Sequence, residues 1–378
     1  MADFKKYFLL KEGMTYLNHG SFGACPKPVF NQYQYWQKEL EHQPIQFLTD
    51  TVYHELKNAR DALGKFVGCD VDELIFFENP TTAVTNVIHN LNLNPGDEIL
   101  TTDHEYGALV RAWKAWCSGS GTTLVEQPIP MPVENPSEFI ESFWKGVTPK
   151  TKVIFISEIT SSTGLIFPIK EIIHRATESN IITIVDGAHV PAHIPLKIHE
   201  LGCDFYTGAC HKWLCAPKGT SFLFVKKEHQ AWMKPVVYSW GKDGDDPGPT
   251  EFLQDFNWQG TRDMSAFLTI PHAIQFFQDY IKPEQNRCRN AIQKAYFQLS
   301  QELKTDPISS GGEWIGQMVS HPIQTSKPAQ LKMELWEKYN IEIPVFEHGG
   351  QSYIRISFQV YNSENDVNLL MSALKSLL

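Results

Sequence analysis

The sequence predicts an α/β fold built on a mainly parallel sheet, and three observations predict it. Between about residues 70 and 230, short apolar runs alternate with segments of helical spacing. One of these runs, NIITIVD at 180–186, is β-branched without alternation, as a strand covered on both faces requires. The segments NPTT, DHEYG, SSTG and DGAH each follow such a run, so they gather at the carboxyl edge of the sheet, where open α/β folds bind ligands.

Taken in order, ELIFF (73–77) is a strand that leads through NPTT into AVTNVIHNL, which has helical spacing. DEILTT (97–102) leads through DHEYG into ALVRAWKAW. TKVIFISEI (151–159) precedes SSTG and then IKEIIHRATES, with apolar positions three and four apart. NIITIVD ends in Asp186. A further apolar run precedes TGACHKWLCAPKG (207–219), and the strand-like SFLFV resumes after it. Beyond about residue 265 the texture changes. The long helical stretch MSAFLTIPHAIQFFQDYI contains a proline that bends or interrupts it. A helix near 284–304 follows, and then shorter strands in EWIGQMVSHPI and SYIRISFQVYN around the helix PAQLKMELWEKYN. That reads as a second, smaller α/β unit.

Composition excludes several classes of function. With 42% hydrophobic and 20% charged residues the chain is globular and not disordered. A net charge of −10 and the lack of any basic run exclude nonspecific binding to nucleic acid or to an anionic membrane. No apolar stretch approaches the ~18 residues of a membrane span, and the N-terminal MADFKKYFLLKEG is too short in apolar residues for a secretory signal. Seven cysteines, an odd number with no CxxC pair, make neither a disulfide framework nor a zinc site. Reduced thiols in a cytoplasmic protein are the expectation. HELKN and HELGC lack the second histidine of a metalloprotease signature, so no metal is expected; GxGxxG and GxxxxGK[ST] loops for nucleotides are missing too.

Lys212, wedged between His211 and Trp213, is the residue that needs an explanation. Lysine is almost never fully buried unless paired or reacting, so Lys212 is either a surface charge or a nucleophile kept from water. A lysine that forms an imine needs an aldehyde, for which pyridoxal phosphate is the usual source. That cofactor asks for a carboxylate at its ring nitrogen, backbone N–H groups for its phosphate and a flat cover for its ring. Asp186 suits the first task, or is a helix cap or a solvated loop carboxylate. Thr81 and Thr82 open a helix after a strand, which suits a phosphate and equally suits ordinary capping. Trp240 in YSWG is a candidate for a substrate channel, with a core role expected instead.

At these residues the chain resembles a family. IVDGAH followed by DFYTGACHKWLCAPKG is similar to the fold-type I pyridoxal-phosphate enzymes of the class V aminotransferase superfamily, in the branch named for isopenicillin N epimerase. YLNHGSFGACP, TTDHEYGA, ITSSTGLIFPI and WQGTRD resemble the same branch in the same order, from about residue 15 to 360. The resemblance implies a large cofactor-binding domain at 20–265 with a mainly parallel seven-stranded sheet flanked by helices, and a small domain made of 1–19 and 266–378. It implies that Lys212 carries pyridoxal 5'-phosphate and that Asp186 faces the pyridine nitrogen. Thr81, Thr82, Ala83 and His211 are implied near the phosphate, and Ser161 and His189 near the phenolic oxygen. Tyr106, with His104 as the alternative, is implied to cover the ring. Thr261 matches a residue that reaches the phosphate of a neighbouring subunit, which implies a homodimer with shared active sites. Arg355 is implied to grip a substrate carboxylate, and Asn18 and His19 to lie near the substrate.

The chain also departs from the family's pattern. IPVFEHGGQSYIRIS, the stretch where desulfurases carry a nucleophilic cysteine, has none, so persulfide formation is not expected. Residue 209 is alanine where many relatives have a polar residue. The implied chemistry starts with loss of the α-proton of an amino-acid substrate, Lys212 acting as base. Epimerisation or racemisation is the leading expectation, and Tyr106, His104 and His19 are the candidates for the second acid it needs. Carbon–sulfur lyase chemistry on a cysteine conjugate or its sulfoxide, transamination, and a catalytically dead binding module on the same fold are the alternatives.

Overall fold

The computed structural model describes residues 4–243 and 250–378. Its strands in chain order are β1 (Thr15–Tyr16), β2 (Leu74–Phe77), β3 (Glu98–Thr102), β4 (Thr123–Gln127), β5 (Thr151–Ser157) and β6 (Ile182–Asp186), then β7 (Phe205–Ala209), β8 (Ser221–Val225), β9 (Met318–Ile323), β10 (Ile341–Glu342), β11 (Val345–His348) and β12 (Gln351–Ser357). Seven of them form one sheet in the order β2-β8-β7-β6-β5-β3-β4. Every neighbouring pair is parallel except the two made by β8, which runs antiparallel to β2 and to β7.

Both faces of this sheet are covered, and β5 shows it residue by residue. Val153 and Phe155 join one apolar cluster, with Val84 and Trp113 of the helices Pro80–Asn90 and Gly107–Ser120. Ile154 and Ile156 point the other way, into the cluster that holds Leu63 of the helix Val52–Val67 and Ile172 of the helix Ile169–Glu178. Alternation of side chains between faces makes both periodic sets apolar, so the strand reads as one unbroken run. At the edge, β4 leaves Thr123 and Glu126 exposed.

Strand order reverses between β3 and β5: the chain steps outward from β3 to β4, then returns to β5 and proceeds the other way to β6 and β7. Loops that leave the carboxyl ends of β3 and β5 part at such a point and open a crevice. His104 and Tyr106 follow β3, and Ser161 follows β5.

The C-terminal strands form an antiparallel sheet in the order β11-β12-β9, packed with the helices Gln285–Leu303, Pro328–Tyr339 and Glu364–Leu377. β1 pairs with β10 in parallel, and the Ser357 N–H donates to Leu17 O at 2.9 Å, so the N-terminal segment is sewn to the end of the chain. The expected interruption near Pro271 is present: one helix ends at Leu268, and Ile270–Phe276 starts anew with proline in its first turn. Trp240 overturns its expectation. It is 85% exposed and belongs to no core, on a segment where Val236, Val237 and Tyr238 are exposed too. Among the described residues no helix is long and apolar enough to cross a membrane.

Candidate active site

The crevice at the carboxyl edge is a cavity of about 420 Å³. Its wall comes from segments far apart in the chain: Asn79, Pro80 and Thr81 after β2, Tyr106 after β3, Ser161 after β5, Asp186 and His189 at and after β6, His211 and Lys212 after β7, and Arg355 on β12.

Lys212 stands at its floor. The turn after β7 carries it beneath the N-terminal loop, and Gly23 of that loop fits so closely that a Cβ would lie 2.2 Å from His211 O and 2.6 Å from Lys212 O. Only glycine tolerates both that approach and its φ of +67°. His19 holds the same backbone from below, with Nε2 3.1 Å from Lys212 O and Nδ1 2.8 Å from Tyr361 Oη. Lys212 Nζ lies 3.1 Å from His189 Nε2. Burial lowers the Lys212 ammonium to about 8, with Asp186 opposing the shift and Arg355 adding to it.

Asp186 ends β6 at the cavity wall, opposite Ser157 of β5 and Thr207 of β7. Oδ1 accepts the Ala188 N–H at 2.9 Å. Burial raises the carboxyl above the ordinary aspartate range, against the Ala188 hydrogen bond and the Lys212 charge. A desolvated carboxylate of this kind gains from a cationic N–H placed beside it.

Arg355 is a buried cation among neutral partners. One terminal nitrogen donates to Ser161 O at 2.5 Å and the other to Ser21 Oγ at 2.8 Å, while Nε has no partner among the described residues. Burial lowers it to about 10, and among the described residues it makes no ion pair. A buried guanidinium without a carboxylate, facing a cavity, is built to receive an anion.

At the opposite end the helix Pro80–Asn90 presents its N-terminus to the cavity. Thr81 lines the wall, whereas Thr82 and Ala83 sit one step inside. The Thr82 N–H donates to Asn79 Oδ1 at 2.9 Å and the Ala83 N–H to Asn79 O at 3.2 Å. An anion that takes the Thr82 N–H has to displace the Asn79 side chain. His211 lies beside this end; its Nδ1 contacts Thr220 O at 2.8 Å, so the ring proton sits there and Nε2 is left over.

Of the aromatic candidates, Tyr106 lines the cavity and is 46% exposed, while His104 is buried, 3.1 Å from Thr163 Oγ1 through Nδ1, outside the wall. His19 is fully buried beneath the lysine, so the N-terminal loop meets the cavity through Gly20, Ser21 and Phe22 instead. Asn18 lies behind them, donating to Glu342 Oε1 at 3.1 Å and accepting from Ser21 Oγ at 2.5 Å. Thr261 is exposed and does not line this cavity, while its neighbour Arg262 pairs with Glu78, just before the lining residue Asn79.

Three contributors escape a reading of the sequence. Ser21 carries Arg355 from the far end of the chain. Asn79 caps the helix. Glu105 is buried between the two aromatic candidates and accepts Ser157 Oγ at 2.5 Å and Thr102 Oγ1 at 2.7 Å; burial raises its carboxyl to about 7. Their only signal is a small polar or acidic residue inside a motif already marked by its neighbours.

These residues fit pyridoxal 5'-phosphate: a buried amine with a lowered pKa, a desolvated carboxylate, a helix N-terminus and an unpaired guanidinium share one cavity. When bound, that cofactor supplies a cationic ring that accepts the electron pair left at a substrate's α-carbon.

The comparisons agree. The family model for aminotransferase class-V matches residues 18–370. The chain is 30% identical over 391 residues to isopenicillin N epimerase of Amycolatopsis lactamdurans, covering 100% of this chain and 98% of that protein. It is 27% identical over 402 residues to a probable chloroplastic L-cysteine desulfhydrase of Arabidopsis thaliana, covering 96% and 82%. Among solved structures it is similar to a cystine C-S lyase in complex with cysteine persulfide, with a TM-score of 0.83 and 21% identity over 96% of this chain and 97% of that one. That last likeness bears on the fold alone.

Proposed function

Because the chain belongs to the aminotransferase class-V family of pyridoxal-phosphate enzymes, we propose that it acts on the α-carbon of an amino acid and returns the α-proton from either face, as an epimerase or racemase does. The observation that carries this reading is the placement of two proton-transfer groups on one cavity, Lys212 at its floor and Tyr106 at its open wall. The similarity to an isopenicillin N epimerase over the whole chain supports it.

In this reading Arg355 holds the substrate carboxylate with its planar guanidinium, whose orientation is fixed by the hydrogen bonds to Ser161 O and Ser21 Oγ. The α-C–H is thereby directed at Lys212. The amine of Lys212, which burial brings to about 8 and so makes far easier to deprotonate than an ordinary lysine, takes the α-proton in its neutral form. Asp186 keeps a proton on the atom it faces by offering a carboxylate that water cannot satisfy. Tyr106 gives a proton to the other face of the α-carbon. His104 and His19 are each engaged away from the cavity, so they do not compete for this role.

The second reading is β-elimination from a sulfur-bearing amino acid, in which Tyr106 assists the leaving group. It draws on the likeness to an L-cysteine desulfhydrase. Incubation with L- and D-amino acids and with L-cysteine conjugates in deuterated water separates the two. Deuterium at Cα with loss of optical purity supports epimerisation, and pyruvate release with no inverted amino acid overturns it in favour of the lyase.

A homodimer and a cytoplasmic location complete the proposal. The exposed apolar residues Val236, Val237, Tyr238 and Trp240 support a partner surface. Thr261, exposed and outside the wall of its own cavity, stands as a residue serving a neighbouring subunit would. Seven free cysteines suit a reducing compartment.

A further inference from the structure

A second pocket of about 180 Å³ opens off the first and shares Tyr106, Ser161 and Arg355 with it. Its remaining wall comes mainly from the hairpin of β11 and β12. In an antiparallel pair, residues two apart on one strand and their partners on the other share a face. Arg355 N–H donates to Pro344 O, and Phe346 pairs with Tyr353 and His348 with Gln351. Pro344, Phe346 and His348 therefore lie on the face from which Arg355 enters the cofactor cavity.

The pocket runs from apolar to polar along that face. Phe346 stacks on Tyr353, with ring centroids 6.1 Å apart and planes at 24°. Farther along, the half-buried His348 sits 5.4 Å from the His104 ring and 6.3 Å from Tyr353. Burial lowers the His348 imidazole, which is neutral and able to donate or accept a hydrogen bond. No hydrogen bond within the described residues uses either of its ring nitrogens.

We propose that this pocket receives the side chain of the amino-acid substrate, that Phe346 packs on its stem, and that His348 hydrogen-bonds a polar group at its tip. With the α-carboxylate on Arg355, this pocket lies contiguous with the cofactor's cavity and open to the side chain. The volume holds on the order of six heavy atoms, taking ~30 Å³ for each water-sized group. The substrate class is thus an α-amino acid with several atoms beyond Cβ and a hydrogen-bonding end. Alanine-sized substrates leave the pocket empty. This inference rests on the proposed reading of Lys212 and Arg355.

The test is a titration of the cofactor-loaded protein with L-alanine, L-norleucine and L-glutamine, followed by the change in the cofactor's visible absorbance, which reports binding without turnover. Phe346→Trp fills the pocket and should weaken norleucine and glutamine by roughly tenfold relative to alanine. His348→Leu should weaken glutamine alone by roughly five- to tenfold, the worth of one hydrogen bond. The two substitutions sit on separate positions of the hairpin, so misfolding of one leaves the other informative. Unaltered ratios among the three amino acids in both variants would overturn the pocket's role while alanine still perturbs the band. A protein whose band fails to form, or responds to no amino acid, overturns the cofactor reading and this inference together.

Discussion

Lys212 Nζ and His189 Nε2 lie 3.1 Å apart, and the histidine's other ring nitrogen accepts Trp213 Nε1–H at 3.4 Å. Trp213 can only donate, so Nδ1 is bare and the ring proton sits on Nε2. The contact then requires Lys212 to accept, which only the neutral amine does. The depressed lysine and the histidine, which burial pushes well below its usual range, are two descriptions of one arrangement.

The first prediction concerns capture of the cofactor by the cofactor-free protein. Its amine attacks the aldehyde only when neutral, so the second-order rate should rise with pH through about 8 and level off above. Stopped-flow absorbance across that range checks it. A midpoint near the ordinary lysine value would mean that the amine is solvated. Lys212→Ala should fold yet fail to gain the visible band at any pH.

Arg355→Lys should raise KM for the amino acid by 10- to 100-fold, about 1.4–2.7 kcal/mol, because an ammonium cannot keep two parallel hydrogen bonds. The cofactor band should remain. Steady-state kinetics beside the spectrum separate the two, and an unchanged KM would remove Arg355 from substrate binding.

Tyr106→Phe preserves the ring and deletes the proton. Cofactor binding should persist, while proton return to the second face falls by ~100-fold. Exchange of the α-hydrogen without inversion, followed in deuterated water, is the expected residue of activity. Full inversion by the variant would assign that proton elsewhere.

Stability should carry the mark of Glu158. Its carboxyl accepts Tyr206 Oη–H at 2.6 Å, yet burial wins and raises it from 4.5 to about 7. Between those values the folded protein keeps a proton that the unfolded chain has released. Its contribution is therefore complete below the unfolded value and is lost as pH rises through the folded one. Against Glu158→Gln, the wild type should lose on the order of 3 kcal/mol across that window, read by denaturant unfolding of the cofactor-free protein. A flat difference would show that the site is wet. Comparing the two proteins cancels the buried histidines His19 and His193, which burial lowers to about 3 and whose effect runs in the opposite direction with pH.

How far the sequence was legible follows from burial. β2, β5, β6 and β8 announce themselves because both of their faces are covered and each carries an unbroken apolar or β-branched run, LIFF, VIFI, ITIV and FLFV. TLVEQ hides β4, since an edge strand keeps a polar face, and β10 and β11 are too short to show a period. The helix Lys27–His42 buries only Val29, so its stripe is faint. Lys212 and Asp186 stood out because a charge beside an apolar strand is anomalous. Ser21 did not, because a serine in a loop is ordinary until Arg355 arrives from the other end of the chain. Trp240 was misjudged for the converse reason: an aromatic residue carries no mark of which side of a surface it occupies.

The pairing of β1 with β10 sets an order of events during synthesis. Thr15 and Tyr16 leave the ribosome long before their partners Ile341 and Glu342 are made. Until then the loop that follows β1, with Ser21 and Gly23, has no anchor, and the lysine it braces is left loosely held. A nascent chain can complete its seven-stranded sheet and still be unable to retain a cofactor. Competence waits on β10, so the seven-stranded sheet alone does not make the site.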